Sequence, residues 1–303
     1  MQCQKDNKCE FDLPISRDNV LLFIDWLVRT RGVKGNTINS YLSGVRQLHV
    51  VRGLEPPVIR DGFVNLIIKG KMNKDAAEKR KGTEKGRLPV TLNVMMLLKK
   101  LIRQWEKPEM EKLLVWVVCT LAFAGSFRIS ELLCNTERTF DPCHTLLAED
   151  VLERKDNTGR VVLNVRLKCP KEARDARPTV VDVFETNGPT CPVKAWKKWV
   201  CRTDRKNGTP LFRNVTGTPL TGKKLNGYLK GLLEPYLDYS KGRITTHSFR
   251  AGIPTMLAAA GHDKDDIKKV GRWSSNAVEA YLKLDRTKRV SMAKELGKLE
   301  SME

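Results

Sequence analysis

Three short segments far apart in the chain carry side chains suited to work on an anion. In the first, 124–133, Arg128 stands at the edge of an otherwise apolar run. A guanidinium placed there must meet an anion or keep its tip in water. Glu131, three residues on, can brace it on the same helical face. The second segment is Thr246-His247-Ser248-Phe249-Arg250. On a helix His247 and Arg250 share a face, and can turn an imidazole and a donor fork toward one phosphate. The third begins at Gly271-Arg272-Trp273 and reaches Tyr281 eight residues after Trp273, in what reads as a new helix. Each segment alone has a plainer reading as well. Arg128 and Glu131 can be a structural salt bridge, His247 a structural histidine, and Trp273 and Tyr281 core aromatics.

The elements that must position these residues are mostly helical. Ser16 or Asp18 can cap a helix with an apolar face of Val20, Leu21, Phe23, Ile24 and Leu27, ended by Gly32. A second helix starts near Asn36 and Thr37, carries Ile38, Tyr41, Leu42, Val45 and Leu48, and stops at Gly53 and Pro56-Pro57. A third runs near 61–69. The stretch 69–87 is rich in Lys, Arg and Gly with almost no large apolar residue, and reads as an exposed basic linker. Beyond it Thr91 caps a helix through Leu101, and 111–133 reads as one long buried helix or a pair. The alternating segment 161–167 and the β-branched segment 179–183 favour strands. With the polar turn 171–177 they predict a β-hairpin with a basic tip. Further helices are expected near 193–201, 223–237, 248–261, 264–270 and 276–284, and the tail 285–299 reads as a helix.

Composition narrows the partners. The 303 residues carry a formal charge of +20, with 41% hydrophobic residues. That is enough apolar content for sizeable cores, and length is a prior for two domains. The charge favours a polyanionic partner, nucleic acid first and an anionic membrane surface second. No apolar run approaches the roughly 18 residues needed to span a bilayer. The start, 1–10, is polar and does not read as a signal peptide, so an intracellular chain is expected. The eight cysteines are scattered without a C-x-x-C pair, so neither a metal site nor a disulfide framework is expected.

The three segments, taken in order over the C-terminal two-thirds, resemble the tyrosine recombinase (phage integrase) family. The family pattern is an Arg followed three later by an acid, a hairpin Lys, H-x-x-R, a His or Trp, and the Tyr. Here it matches Arg128 with Glu131, Lys171, His247 with Arg250, Trp273, and Tyr281. The run Gly271-Arg272-Trp273-Ser274-Ser275 and its eight-residue step to Tyr281 resemble the eukaryotic mobile-element branch, DIRS-like retrotransposons and Cryptons. The run 35–42 is similar to the family's helical core-binding domain. Two departures stand out. Gly125 lies one residue further from Arg128 than in the G-x-R arrangement. Pro254 falls where the family often continues a helix, and could open a new one.

The resemblance implies a mainly α fold with a small β-sheet or hairpin (α+β): a helical core-binding domain over 1–70, a basic linker over 71–87, and a catalytic domain over 88–303. It implies that Tyr281 attacks a DNA phosphate and forms a 3′-phosphotyrosyl link that stores the bond energy, so that neither a nucleotide cofactor nor a metal is required. Arg128 and Arg250 would stabilise the charged oxygens, and His247 and Trp273 would position them. Lys171 would protonate the leaving 5′-oxygen, with Lys168 as the fallback. Double-stranded DNA is the implied partner, contacted by Lys34, Asn36, Arg46, Arg52, Lys81 and Arg87. A homo-oligomer, no membrane and a nuclear setting follow from the same likeness. A catalytically silent DNA-binding relative and a type IB topoisomerase are the alternatives.

Overall fold

In the computed structural model the described residues are 12–57, 61–81, 87–169, 178–238 and 242–273. The chain divides into two compact units, Met1–Glu84 and Lys85–Glu303. Among the described residues no helix is long and apolar enough to cross a membrane.

The first unit holds three helices: α1 (Arg17–Arg29), α2 (Gly35–Val51) and α3 (Gly62–Lys81). The Ser16 hydroxyl caps α1 by accepting from the Asn19 amide. Val20, Ile24 and Leu27 bury their stripe against Ile38 and Leu42 of α2 and Val64 and Ile68 of α3. His49 is fully buried, accepting the Ile15 amide at Nε2 and donating from Nδ1 to the Val45 carbonyl.

The third helix corrects the linker expected over 71–87, because residues 71–81 are helical. The segment lacks the apolar stripe that marks a helix, but Ala76, Ala77, Glu78 and the lysines are strong helix formers. A tertiary contact adds to this. Asp75 pairs with Lys71 one turn before it and accepts the Gly35 amide at 2.7 Å, so that α3 caps α2.

The second unit is built round a core of α4 (Leu92–Gln104), α5 (Glu109–Ala124), α7 (Pro192–Val200), α8 (Gly222–Leu233) and α9 (Ser248–Ala260). Two short elements complete the helices, α6 (Ile129–Leu132) and α10 (Lys264–Gly271). The run 111–133 is thus a helix pair, α5 and α6, broken at Gly125. Thr91 caps α4 through the Val94 amide. The expected hairpin is part of a three-stranded antiparallel sheet in the order β1 (Val151–Lys155), β2 (Val161–Leu167), β3 (Thr179–Phe184). The added strand, β1, is an edge strand whose last four residues are exposed.

Pro254 sits inside α9 and does not open a new helix. A proline has no N–H for the carbonyl four residues back, here that of Arg250. Local bonding continues through the Thr255 hydroxyl, which donates to the Ala251 carbonyl. Gly252 lets α9 pack close to its neighbours: a Cβ there would stand 2.4 Å from the Val90 carbonyl oxygen and 2.8 Å from the Phe123 ring.

Candidate active site

Four stretches of the second unit converge: the α5–α6 turn, α6, the start of α9, and the end of α10. Arg128 is the N-cap residue of α6. Glu131 accepts the Arg128 amide at 2.9 Å and its guanidinium at 3.1 Å, the brace that the three-residue spacing predicts. Glu131 Oε2, the oxygen that takes the Arg128 amide, also accepts Nη2 of Arg272 at 2.8 Å, from 141 residues further along the chain.

Arg250 projects from the first turn of α9 and is 8% exposed. It donates to the Ser126 carbonyl at 3.3 Å and to the Gly271 carbonyl at 2.8 Å, with a longer contact to the Arg272 carbonyl. Arg272 Nη2 reaches the same Ser126 carbonyl at 3.2 Å. Arg250 and Arg272 therefore meet at one oxygen, and Arg272 and Arg128 meet at one carboxylate. Trp273 is buried against Ile267, with the Arg250 guanidinium 5.8 Å from its ring centre.

The backbone bends sharply at both ends of this network. Ser126 and Arg272 take left-handed φ values of 46° and 51°, and are the non-glycine residues that do so among those described. Such conformations cost about 1–3 kcal/mol each and gather at functional sites. The bend at Ser126 falls between Gly125 and Arg128. It folds Phe127 back so far that a Cβ on Gly125 would lie 2.2 Å from the Phe127 ring. That ring in turn lies under the Arg272 guanidinium at 4.7 Å.

His247 is the exposed N-cap residue of α9. Partial desolvation lowers its pKa, and the positive charges of Arg87 and Arg128 lower it further. Arg87 thus acts on the same locus, and its segment is tied to it by the bond from the Leu88 amide to the Arg243 carbonyl. The Arg272 pKa is also pushed down by burial, against the pull of Glu131. Four side chains here, Arg128, Arg250, Arg272 and Glu131, carry a net positive charge in a desolvated setting. Such a site favours an anion with several acceptor oxygens.

The other expected residues are placed as follows. Lys168 is engaged: its Nζ lies 2.9 Å from the buried Asp150 carboxylate and donates to the Pro142 carbonyl. Lys34, Asn36, Arg46 and Arg52 are exposed on α2 and its two caps. Lys171, Tyr281 and the Lys81 side chain lie outside the described residues, as do the turn 171–177 and the helices expected over 276–284 and 285–299. Arg272 and Ser126 were not among the expected site residues. The available signal was a bulky cation directly after Gly271 at a helix end, where glycine is the usual left-handed residue.

The described elements form an α+β fold of the tyrosine recombinase type. Among solved structures, the Tn1549 transposon integrase in complex with circular intermediate DNA is similar over 97% of this chain and 90% of that one, with 14% identity and a TM-score of 0.57. The same integrase in complex with transposon right end DNA is similar over 98% and 90%, again with 14% identity and a TM-score of 0.57. The XerH site-specific recombinase bound to difH substrate aligns at 15% identity over 69% of this chain, with a TM-score of 0.47. This chain spans about half of that recombinase, 54% of its length. No family model matches the sequence, and no curated protein does.

Proposed function

We propose that this protein is a DNA recombinase or integrase of the tyrosine recombinase class, acting on the DNA of a mobile element. The observation that carries the reading is the convergence of Arg128 with Arg250 and Arg272, both more than 120 residues further along the chain, within a fold similar to that of a transposon integrase.

A phosphodiester is a poor electrophile, and covalent catalysis divides its cleavage into two easier steps. Tyr281 gives up its phenolic proton to solvent and attacks phosphorus, the 5′-oxygen leaves, and a 3′-phosphotyrosyl bond replaces the one broken. Arg128 and Arg250 face the non-bridging oxygens, where negative charge builds as the attack proceeds. Both are charged at any working pH and present donors in a fixed fork. His247 and Trp273 donate hydrogen bonds to the same phosphate. The leaving oxygen takes its proton from Lys171. The engagement of Lys168 favours this assignment, because its Nζ is already held by the buried Asp150 carboxylate and the Pro142 carbonyl. The exposed cations Lys34, Arg46, Arg52 and Arg87, with Asn36 and with Lys81 from the basic run of the sequence, contact backbone phosphates. Bringing two DNA sites together would call for a homo-oligomer, and the resemblance of the Gly271–Ser275 run to the eukaryotic mobile-element branch supports a nuclear setting.

The test is covalent trapping on a pool of nicked duplexes of randomised sequence. The native chain forms a denaturation-resistant DNA adduct, and Tyr281→Phe forms none. Equal, negligible trapping by both leaves only DNA binding. Relaxation of a plasmid without joining of two sites replaces recombination by topoisomerase action.

A further inference from the structure

We propose that Arg272 is a positioning residue for the phosphate cradle, one that aligns Arg128 through Glu131 and Arg250 through its own backbone. The inference rests on the phosphotyrosyl reading above and adds to it a residue whose role is to hold the other two arginines.

The first argument is the cost of having an arginine at this position. Arg272 is the C-cap of α10 with φ 51°, a conformation in which glycine is the low-energy residue. Its Nη1 is buried without a hydrogen-bond partner among the described residues. A buried donor left unmade is costly, more so on a charged group. Glycine would avoid both of these costs, so what the arginine side chain does here must be sought in the contacts it makes.

The second argument is what that side chain and backbone touch. Nη2 bonds Glu131 Oε2 at 2.8 Å, while Glu131 Oε1 holds the Arg128 guanidinium at 3.1 Å. Glu131 is thus gripped from both sides, and its carboxylate plane is fixed. The same Nη2 donates to the Ser126 carbonyl, which also receives Arg250. The Gly271 and Arg272 carbonyls accept the other Arg250 nitrogen. The Phe127 ring supports the Arg272 guanidinium from below. One residue therefore links the two guanidinium groups assigned to the phosphate, and does so from the segment that leads into Tyr281.

The decisive variant is Arg272→Gly, which relaxes the backbone and removes the side chain. Single-turnover cleavage is measured on sequences recovered by trapping, beside DNA affinity. Cleavage is expected to fall about 100-fold, the scale of one lost preorganised donor, with DNA affinity within about threefold. Glu131→Gln is expected to fall similarly, and the double variant no further than the worse single one, because both act through one linkage. A scissile methylphosphonate, which lacks one anionic oxygen, should shrink the Arg272→Gly deficit to less than about tenfold. Should Arg272→Gly fail to melt cooperatively, Arg272→Lys is read instead. It keeps the charge, loses the fork, and is expected to show the same pattern.

Wild-type cleavage in the variant that folds overturns the proposal. So do losses that multiply with Glu131→Gln, or a loss wholly in DNA affinity. A native chain that forms no adduct overturns this proposal and the phosphotyrosyl reading together. Normal native trapping with an unimpaired variant overturns only the role of Arg272.

Discussion

Two carboxylates in the second unit are each held between two cations, and they do different things. Asp150 lies at the start of β1, fully buried, between Arg166 and Lys168 of the β2 end, and it also accepts the Leu147 amide. All its partners lie within 18 residues of it in sequence. Glu131 lies between Arg128 and Arg272, 3 and 141 residues away. Asp150 ties one piece of sheet to its own neighbourhood on ordinary backbone. Glu131 ties together distant segments, beside a further guanidinium, Arg250, that donates to carbonyl oxygens, and between two residues of left-handed backbone. Carbonyl oxygens orient a guanidinium without cancelling its charge. The contrast separates a carboxylate that locks one neighbourhood of the fold from one that, on the proposed reading, aligns cations for a phosphate.

Mutation can break this contrast at either end. The largest effect is expected at Arg250. Arg250→Lys keeps a charge but cannot span the Ser126 and Gly271 carbonyls, and covalent trapping should fall by at least about 1,000-fold. Next, Glu131→Gln and Asp150→Asn should part in their effect on cleavage. Asp150→Asn should lower unfolding free energy by roughly 2–4 kcal/mol, since it breaks a buried pair whose Arg166 is half exposed, with cleavage by the folded fraction unchanged. Glu131→Gln also breaks a largely buried pair and should cost stability, but it alone should cut cleavage by the folded fraction. The reverse pattern would erase the distinction drawn above. Smaller still, replacing Arg46 or Arg52 by Ala should weaken DNA binding alike on all sequences, and each should reduce the slope of log affinity against log salt by about 1.

The smallest effect is in the pH dependence of stability. His247, though exposed at the helix end, has its folded pKa lowered by partial desolvation and by Arg87 and Arg128. Between that value and the unfolded one, about 6.5, the unfolded chain binds more protons. Stability therefore falls as pH drops below about 6.5 and levels off once folded His247 also protonates. His247→Gln should flatten this slope in urea titrations at stepped pH. An unchanged slope would move the titrating group elsewhere.

Much of this was legible from local signals. Ser16 and Thr91 announce helix starts that the structure places there, since a hydroxyl cap is a contact within three residues. The alternation in 161–167 gives β2 for the same reason. Strand β1 was not foreseen because its sequence, Val-Leu-Glu-Arg-Lys, has the charged, exposed character of an edge, which hides it from a search for alternation. The helical run through 71–81 was missed because Asp75 serves Gly35, 40 residues away. In the site, Arg128 with Glu131 and His247 with Arg250 could be read from three-residue spacings. Arg272 could not, because its value lies in bonds that cross 141 and 146 residues. Its left-handed backbone is likewise not written in residue type.

Gly252 sets a mechanical tolerance for the whole assembly. It lies two residues after Arg250 and faces Val90 and Phe123 across a gap that a single added carbon would overfill. Seating an alanine there would require α9 to back away by about 1 Å, and a shift of that size can cost about 100-fold in rate even when it starts far from the chemistry. The reach of Arg250 is thus gauged by a hydrogen atom on the far side of its helix, at a residue that need never touch a substrate.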